Sequence, residues 1–548
     1  MVHRRKFLQS AGAIGAPSLV PWRGARALSI TEAPLAIGVI DAPDVKALAL
    51  RALDAARSSG ATYADVRLTR TVLQSFIIGH VRDEEQLAIG VRVIVDGKWG
   101  FAASPFWTPE EPATLAKIAV DQARANARAE RVTTQKPVRP IELPPTPPAV
   151  GSWTTPVRID PFTISPEEKQ DYLAGLVRYA DAYGNGIASD DAKMGFTRQE
   201  RAVATSEGSF FTQTVYSSSG VFIIKVSPGS SIGDSGGQSI KTAARHLDLM
   251  GKGWELMLDA DILSQIPVMC EEGLRLLKMP VKPVEVGRYD VVLDAQTATY
   301  LVDKTIGVST ELDRVVGLEA NGTGTSFIGP NPMSALGSFH FGTSLLTVQM
   351  DRSTPKALST VKWDDEGVIP EQVTLVDKGS LVNLQTTREQ ARWLAPYYGQ
   401  QNIAVRSNGC AGAPTALDIT MHRPPNLRMR PGNEALTFND LVAQTRKGYA
   451  LVGFDIDVDF QARNGASRAE SGIMYEIVNG KLGAIVQGGG ILFSTLELWK
   501  KVIGIGGASS AELWSQSRTK GQPEQTTEHS VSAVPILVRE LAITRTSK

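Results

Sequence analysis

The sequence predicts an α+β protein: N-terminal α/β lobes followed by a largely β C-terminal domain. Three observations predict it. Helical and strand-like periodicities alternate between residues 43 and 129, a proline-rich connector interrupts them, and short strands separated by tight turns fill most of residues 284–548. At 548 residues the chain exceeds one compact core. It divides into an export signal (1–27), an N-terminal α+β lobe (28–136), a linker (137–150), a second part of the N-terminal α+β region (151–283) and the C-terminal domain (284–548).

The elements follow in order. Val45, Leu48, Ala52, Leu53 and Ala56 recur at three- and four-residue steps from Pro43, and Gly60 stops the run, which reads as a helix. Tyr63–Thr69, Leu73–Gly79 and Gln86–Val95 are strand-like, and Asp96-Gly97 before Trp99–Ala102 is a type I′ hairpin signal. Pro109–Ala129 is a second helix, with Glu110 and Glu111 where the helix dipole favours negative charge. Six prolines between Lys136 and Pro148 make an extended connector. Ser165-Pro166-Glu167-Glu168 is a capped helix start. Met194–Thr205, Ser209–Ser217 and Gly220–Val226 read as successive strands, Asp261–Leu277 as a helix, and Tyr289–Leu293 as a buried strand. Asp377-Lys378-Gly379 and Asn479-Gly480 mark turns between later strands.

Composition narrows the function classes. Apolar residues make up 42% and charged residues 21%, and Lys+Arg and Asp+Glu both total 57. Zero formal net charge with no basic stripe argues against nucleic acid as a partner. Cys270 and Cys410 cannot make a disulfide framework or a zinc knuckle, and they are expected to be free and buried. At the N-terminus, Arg4-Arg5 followed by Phe7-Leu8, a mild apolar stretch and Ala25-Arg26-Ala27 resembles a twin-arginine export signal. It predicts a periplasmic mature chain starting near Leu28. No later run of 18 apolar residues exists, so no membrane span is expected.

The stretch Asp294–Phe327 should carry the chemistry. Asp294 can cap a helix that Gly307 ends, giving a strand–helix–loop unit. Thr305-Ile306-Gly307, Thr310-Glu311-Leu312-Asp313-Arg314, Gly317, Glu319-Ala320-Asn321 and Gly324-Thr325-Ser326-Phe327 together resemble the TldD/PmbA metallopeptidase family. So do Ser206–Ser209, Asp364–Gly367, Arg406–Gly409 and Lys520-Gly521-Gln522-Pro523, in the same order over roughly the whole mature chain.

The resemblance implies a zinc centre built from HExxxH and a cysteine just before the KGQP block. Five-residue spacing does not put both histidines on one face of an ideal helix; the helix would have to loosen at the glycine. In this chain those places hold Asp303, Lys304 and Val308, with Arg518 for the cysteine. Valine cannot bind zinc, and protonated lysine and arginine offer no lone pair. Each cation would repel a divalent ion, by roughly 4 kcal/mol per unit-charge pair at 4 Å and an effective dielectric of 20. Lys304 cannot act as general base at neutral pH. No zinc or other cofactor is therefore expected, and catalytic residues are not assigned. Asp303 is expected to pair with Arg518, with Lys304 nearby and Val308 filling the space of the second histidine.

Other motifs carry less. His80, His246, His340, His422 and His529 show no metal-ligand spacing and read as structural or surface histidines. Gly233–Gly237 matches the pentapeptide around a serine-protease nucleophile, but its glycine-rich surroundings read better as a loop. Gly488–Gly490 and Gly504–Gly507 read as turn or strand glycines rather than a dinucleotide site. The resemblance implies a catalytically silent subunit that binds unfolded peptide and pairs with another TldD/PmbA subunit, or with itself. A hydrolase with a rebuilt centre, or with ligands donated by a partner, and a periplasmic scaffold stay open beside it.

Overall fold

The structure, a computed structural model, describes residues 43–133, 140–183, 187–227, 241–469 and 471–546. The export signal and Gly233–Gly237 lie outside the described residues. Helix α1 (Pro43–Ser58) buries Val45, Leu48, Ala49, Ala52, Leu53 and Ala56, and Gly60 beyond it sits at φ +95°. Strands β1 (Tyr63–Ile77), β2 (His80–Val95) and β3 (Lys98–Ser104) form a meander. Asp96 and Gly97 both take positive φ, 51° and 69°, as a type I′ turn requires. Helix α2 (Glu111–Thr133) crosses β3 at Gly100, where a Cβ would lie 2.0 Å from the Ala119 carbonyl oxygen.

After the linker come β4 (Val150–Thr154), the capping-box helix α3 (Pro166–Asp181), β5 (Ile187–Thr205), β6 (Phe210–Val226) and β7 (Lys241–Met250). Two pairs of expected strands are single long ones. Tyr63–Thr69 and Leu73–Gly79 fuse into β1 because β2 and β5 pair with it from both sides, so polar Arg70 and Thr71 cannot break it. Ser209–Ser217 and Gly220–Val226 fuse into β6, which pairs with β5 throughout; a register shift against β7 at Ser218/Gly220 absorbs the small residues.

The linker separates no sheets. β1 pairs with β5 across it, so residues on both sides build one seven-stranded sheet, ordered β3-β2-β1-β5-β6-β4 with β7 on β6. Helices α4 (Glu255–Ala260) and α5 (Ile262–Lys278) complete this region, and Ile266, Met269 and Cys270 pack with Phe76, Phe196 and Phe222.

The C-terminal region begins slightly earlier than residue 284. β8 (Val281–Pro283) already pairs parallel with Lys481–Gln487. β9 (Gly287–Leu293) is central in a ten-stranded sheet, flanked by Ile536–Arg545 and Lys447–Val452. A second, six-stranded sheet ends in Leu427–Met429, Gln525–Ala533 and, outermost, Glu512–Lys520. Cys270 and Cys410 are free and buried in different cores. No helix among the described residues is long and apolar enough to cross a membrane.

Charges join the two regions. Arg67 on β1, Arg92 on β2 and Arg201 on β5 reach the acidic turn Asp364–Glu366: Arg67 and Arg201 meet Asp365 at 3.3 and 3.4 Å, and Arg92 meets Glu366 at 3.1 Å. Glu366 also accepts from the Arg388 backbone N–H at 2.9 Å. Three residues before Arg388, Gln385 donates from its side chain to the Gly307 carbonyl and the Thr310 hydroxyl. The seam is thus tied to the strand–helix–loop unit.

Candidate metal centre

The unit starts as expected. Asp294 caps helix α6 (Ala295–Leu301) by accepting from the Thr297 N–H at 2.9 Å. Gly307 does not end it. Residues Val302–Gly307 form a π-helical turn, followed by a 3-10 turn at Val308–Thr310, with Gly307 at φ −53°. The Val308 N–H bonds the Asp303 carbonyl, five residues back. This loosening spans the whole motif and brings positions 303 and 308 onto one face. Gly307 is needed for closeness rather than for a turn. A Cβ there would meet Leu427 Cδ1 at 2.7 Å and Asp303 Oδ1 at 3.0 Å.

Asp303 is fully buried, and its Oδ1 accepts from Arg518 Nη2 at 2.5 Å and contacts His529 Nε2 at 2.8 Å. Arg518 Nη1 also donates to Glu311 Oε1. Glu311 Oε2 accepts from Arg314 Nε at 2.9 Å and Lys520 Nζ at 2.8 Å. Lys520 Nζ further donates to Asp313 Oδ2 at 2.6 Å and faces His422 Nδ1 at 3.0 Å. Arg518 and Lys520 alternate along Glu512–Lys520, so both point to one face of that strand. Asp303, Glu311 and Asp313 therefore balance Arg314, Arg518 and Lys520, three charges against three.

The expected Asp303–Arg518 pair is present, and Val308 is buried. Lys304 is only half-buried and belongs to no hydrogen bond of this network; its charge also acts on Asp455. Sequence reasoning missed His422 and His529, which it read as structural or surface residues. They sit about a hundred residues apart in the chain, and only the pairing of Gln525–Ala533 with Glu512–Lys520 brings His529 beside Arg518. His340 contacts Ser380, away from the centre, and His246 lies on β7. Gly489 and Gly504 fall within strands, Gly489–Ser494 and Val502–Ile505.

Electrostatics follow from burial and pairing. Burial alone would raise the Asp303 carboxyl, but Arg518 and His529 outweigh it and hold the group well below the usual carboxylate range. Glu311 behaves likewise under Lys520, Arg518 and Arg314. Burial first, then Lys520, pushes His422 down to about 3. Each of these groups is depressed on folding, so its stabilisation is present above its unfolded pKa and lost as pH falls. Two losses are expected: one starting near pH 6.5 from His422, one below about pH 4 from the carboxylates. Burial raises Asp294 to about 6 and Asp364 and Glu528 to about 7, so these gain stability over the same window while His246 loses it. The contribution of His422 is therefore the difference between the urea-midpoint profiles of the native chain and His422→Gln, in which the native chain should lose stability relative to the variant below about pH 6.5. An unchanged profile would contradict this.

The residues do not fit the zinc site that the resemblance implies. Val308 has no donor, and Arg518 places a guanidinium against the one carboxylate that remains. Asp303 Oδ2 has no hydrogen-bond partner, but a single carboxylate oxygen is not a zinc site.

Comparison with known proteins agrees with this frame. Residues 286–545 match the PmbA/TldA metallopeptidase C-terminal domain, and residues 65–127 match PmbA/TldA metallopeptidase domain 1. A metalloprotease of Methanocaldococcus jannaschii is 23% identical over 453 residues, 80% of this chain and 88% of the relative. A metalloprotease of Methanothermobacter thermautotrophicus is 22% identical over 456 residues, 81% and 88% of the two chains. Among solved structures, a Thermotoga maritima protein studied as a candidate modulator of a DNA gyrase shares the fold with TM-score 0.64 at 16% identity, covering 91% of this chain and all of its own. TldE of Thermococcus kodakarensis does so with TM-score 0.62 at 15% identity, covering 90% and 98%. With its two matched domains and the blocks between residues 294 and 327, this chain belongs to the TldD/PmbA metallopeptidase family.

Proposed function

We propose that this chain is a zinc-less, non-hydrolytic member of its family, which binds extended peptide and pairs with another TldD/PmbA subunit. One observation carries the reading: Arg518 and Lys520 supply, from within the chain, positive charge that balances the buried carboxylates. A centre already neutral has no need of a dication, and Lys304 gives it no general base. Peptide capture by strand addition is supported by the outermost position of Glu512–Lys520 in its sheet; Asp248 of β7 already takes the Ser515 N–H, so a peptide would pair along the other outward backbone groups of that strand.

Arg4-Arg5 with the Ala25-Arg26-Ala27 site supports a further part of the proposal, export of the folded chain to the periplasm. One experiment addresses pairing and export. A tagged chain purified from the periplasmic fraction of its native host should bring a second family subunit with it. A chain carrying Arg4→Lys and Arg5→Lys should yield neither in that fraction. Recovery of the native chain alone would overturn pairing, except as a dimer of itself by light scattering. Unchanged periplasmic yield of the double variant would overturn the export route.

A further inference from the structure

We propose that Glu311, Asp313 and His422 form a divalent-cation site that the protein fills with its own Lys520 ammonium. All three residues are buried, and one ligand atom from each lies within 4.8 Å of the others. Such atoms can converge on one ion with bonds of about 2.0–2.4 Å. Lys520 Nζ occupies that point of convergence, 2.8 Å from Glu311, 2.6 Å from Asp313 and 3.0 Å from His422 Nδ1.

An ordinary buried ion pair needs one carboxylate. Here two carboxylates and an imidazole nitrogen aim at one cation. An ammonium ion only donates, so Nδ1 must present its lone pair, as it would to a metal. Two oxygens and an imidazole suit zinc or manganese better than calcium or magnesium, which prefer all-oxygen shells.

Charge explains why lysine excludes the metal. With Lys520 in place the network of three carboxylates and three cations is neutral, and a dication would add two uncompensated charges. Without Lys520 the network carries one excess buried negative charge, and a dication reverses the deficit instead of leaving it bare. The side chains involved differ from Asp303, Val308 and Arg518. The proposal nevertheless shares Lys520 with the zinc-less reading: zinc in the unaltered protein would overturn both, whereas metal-independent melting of the Lys520 variants would overturn this one alone.

The test uses the mature chain with Lys520→Ala, and with Lys520→Met, which keeps most of the stem volume. Each is stripped with chelator and then titrated with Zn2+ and Mn2+ by calorimetry and thermal melting. The expected result is one ion bound per chain and a melting temperature that rises with metal, neither seen in the unaltered protein. Adding Asp313→Asn to Lys520→Ala should weaken binding at least about tenfold, which separates this site from surface histidines. A variant that folds only when metal is present supports the proposal equally. Metal-independent melting of both variants, equal binding after Asp313→Asn, or failure of both variants to fold even with metal would overturn it.

Discussion

Asp303→Ala should lower the unfolding free energy by about 3 kcal/mol, the lower end of the range for breaking a buried ion pair. Both partners are buried, so the cost of under about 1 kcal/mol typical of exposed pairs does not apply. The lower end is expected because Arg518 keeps Glu311 as a second acceptor, whereas His529 loses its contact with Asp303. Urea unfolding of the variant measures this. Arg518→Met in the same background should show strong coupling, since the second change then removes a cation that has already lost Asp303 and keeps only Glu311. A cost below about 1 kcal/mol would mean that the pair is solvated in solution.

Arg92→Ala should cost more, about 5 kcal/mol, because it strands two buried carboxylates instead of one cation. Arg92 meets Asp65 at 2.8 Å and Glu366 at 3.1 Å, and its guanidinium lies 4.2 Å from the Trp99 ring centroid. Asp65 and Glu366 come from different regions, so the loss falls on the seam. The expected unfolding curve separates into two transitions, the N-terminal sheet melting before the C-terminal region. Adding Glu366→Gln should recover part of the stability by removing one stranded charge. A single transition at nearly the native midpoint would contradict the assigned role of the seam.

Local chemistry was the legible part of the fold. Asp96-Gly97, Ser165 with Glu168, Asp294 and Gly60 each satisfy a backbone requirement within a few residues, and each sits where the sequence predicts. What escaped depends on partners distant in the chain. β1 and β6 run through polar and glycine positions because neighbouring strands hold them, and no short window contains that information. From the sequence, the π-turn at Val302–Gly307 is legible only as loosening at the glycine.

At the centre, family spacing located Asp303, Lys304, Val308 and Arg518, and charge accounting predicted the Asp303–Arg518 pair. It did not reach Glu311, Lys520, His422 and His529 as members of the same network. Glu311, Asp313 and Lys520 stood in the recognised blocks, so a search for partners to every buried charge in those blocks was the available signal. His422 and His529 offer none, because strand pairing sets His529 beside Arg518 and a side-chain contact with Lys520, 98 residues further on, brings in His422.

Replacement of the metal by internal cations is tested most directly by the zinc content of the mature protein purified from its native host without chelators, measured by elemental mass spectrometry. Far less than one zinc per chain is expected, unchanged when zinc is added during purification. About one tightly held zinc per chain would contradict it.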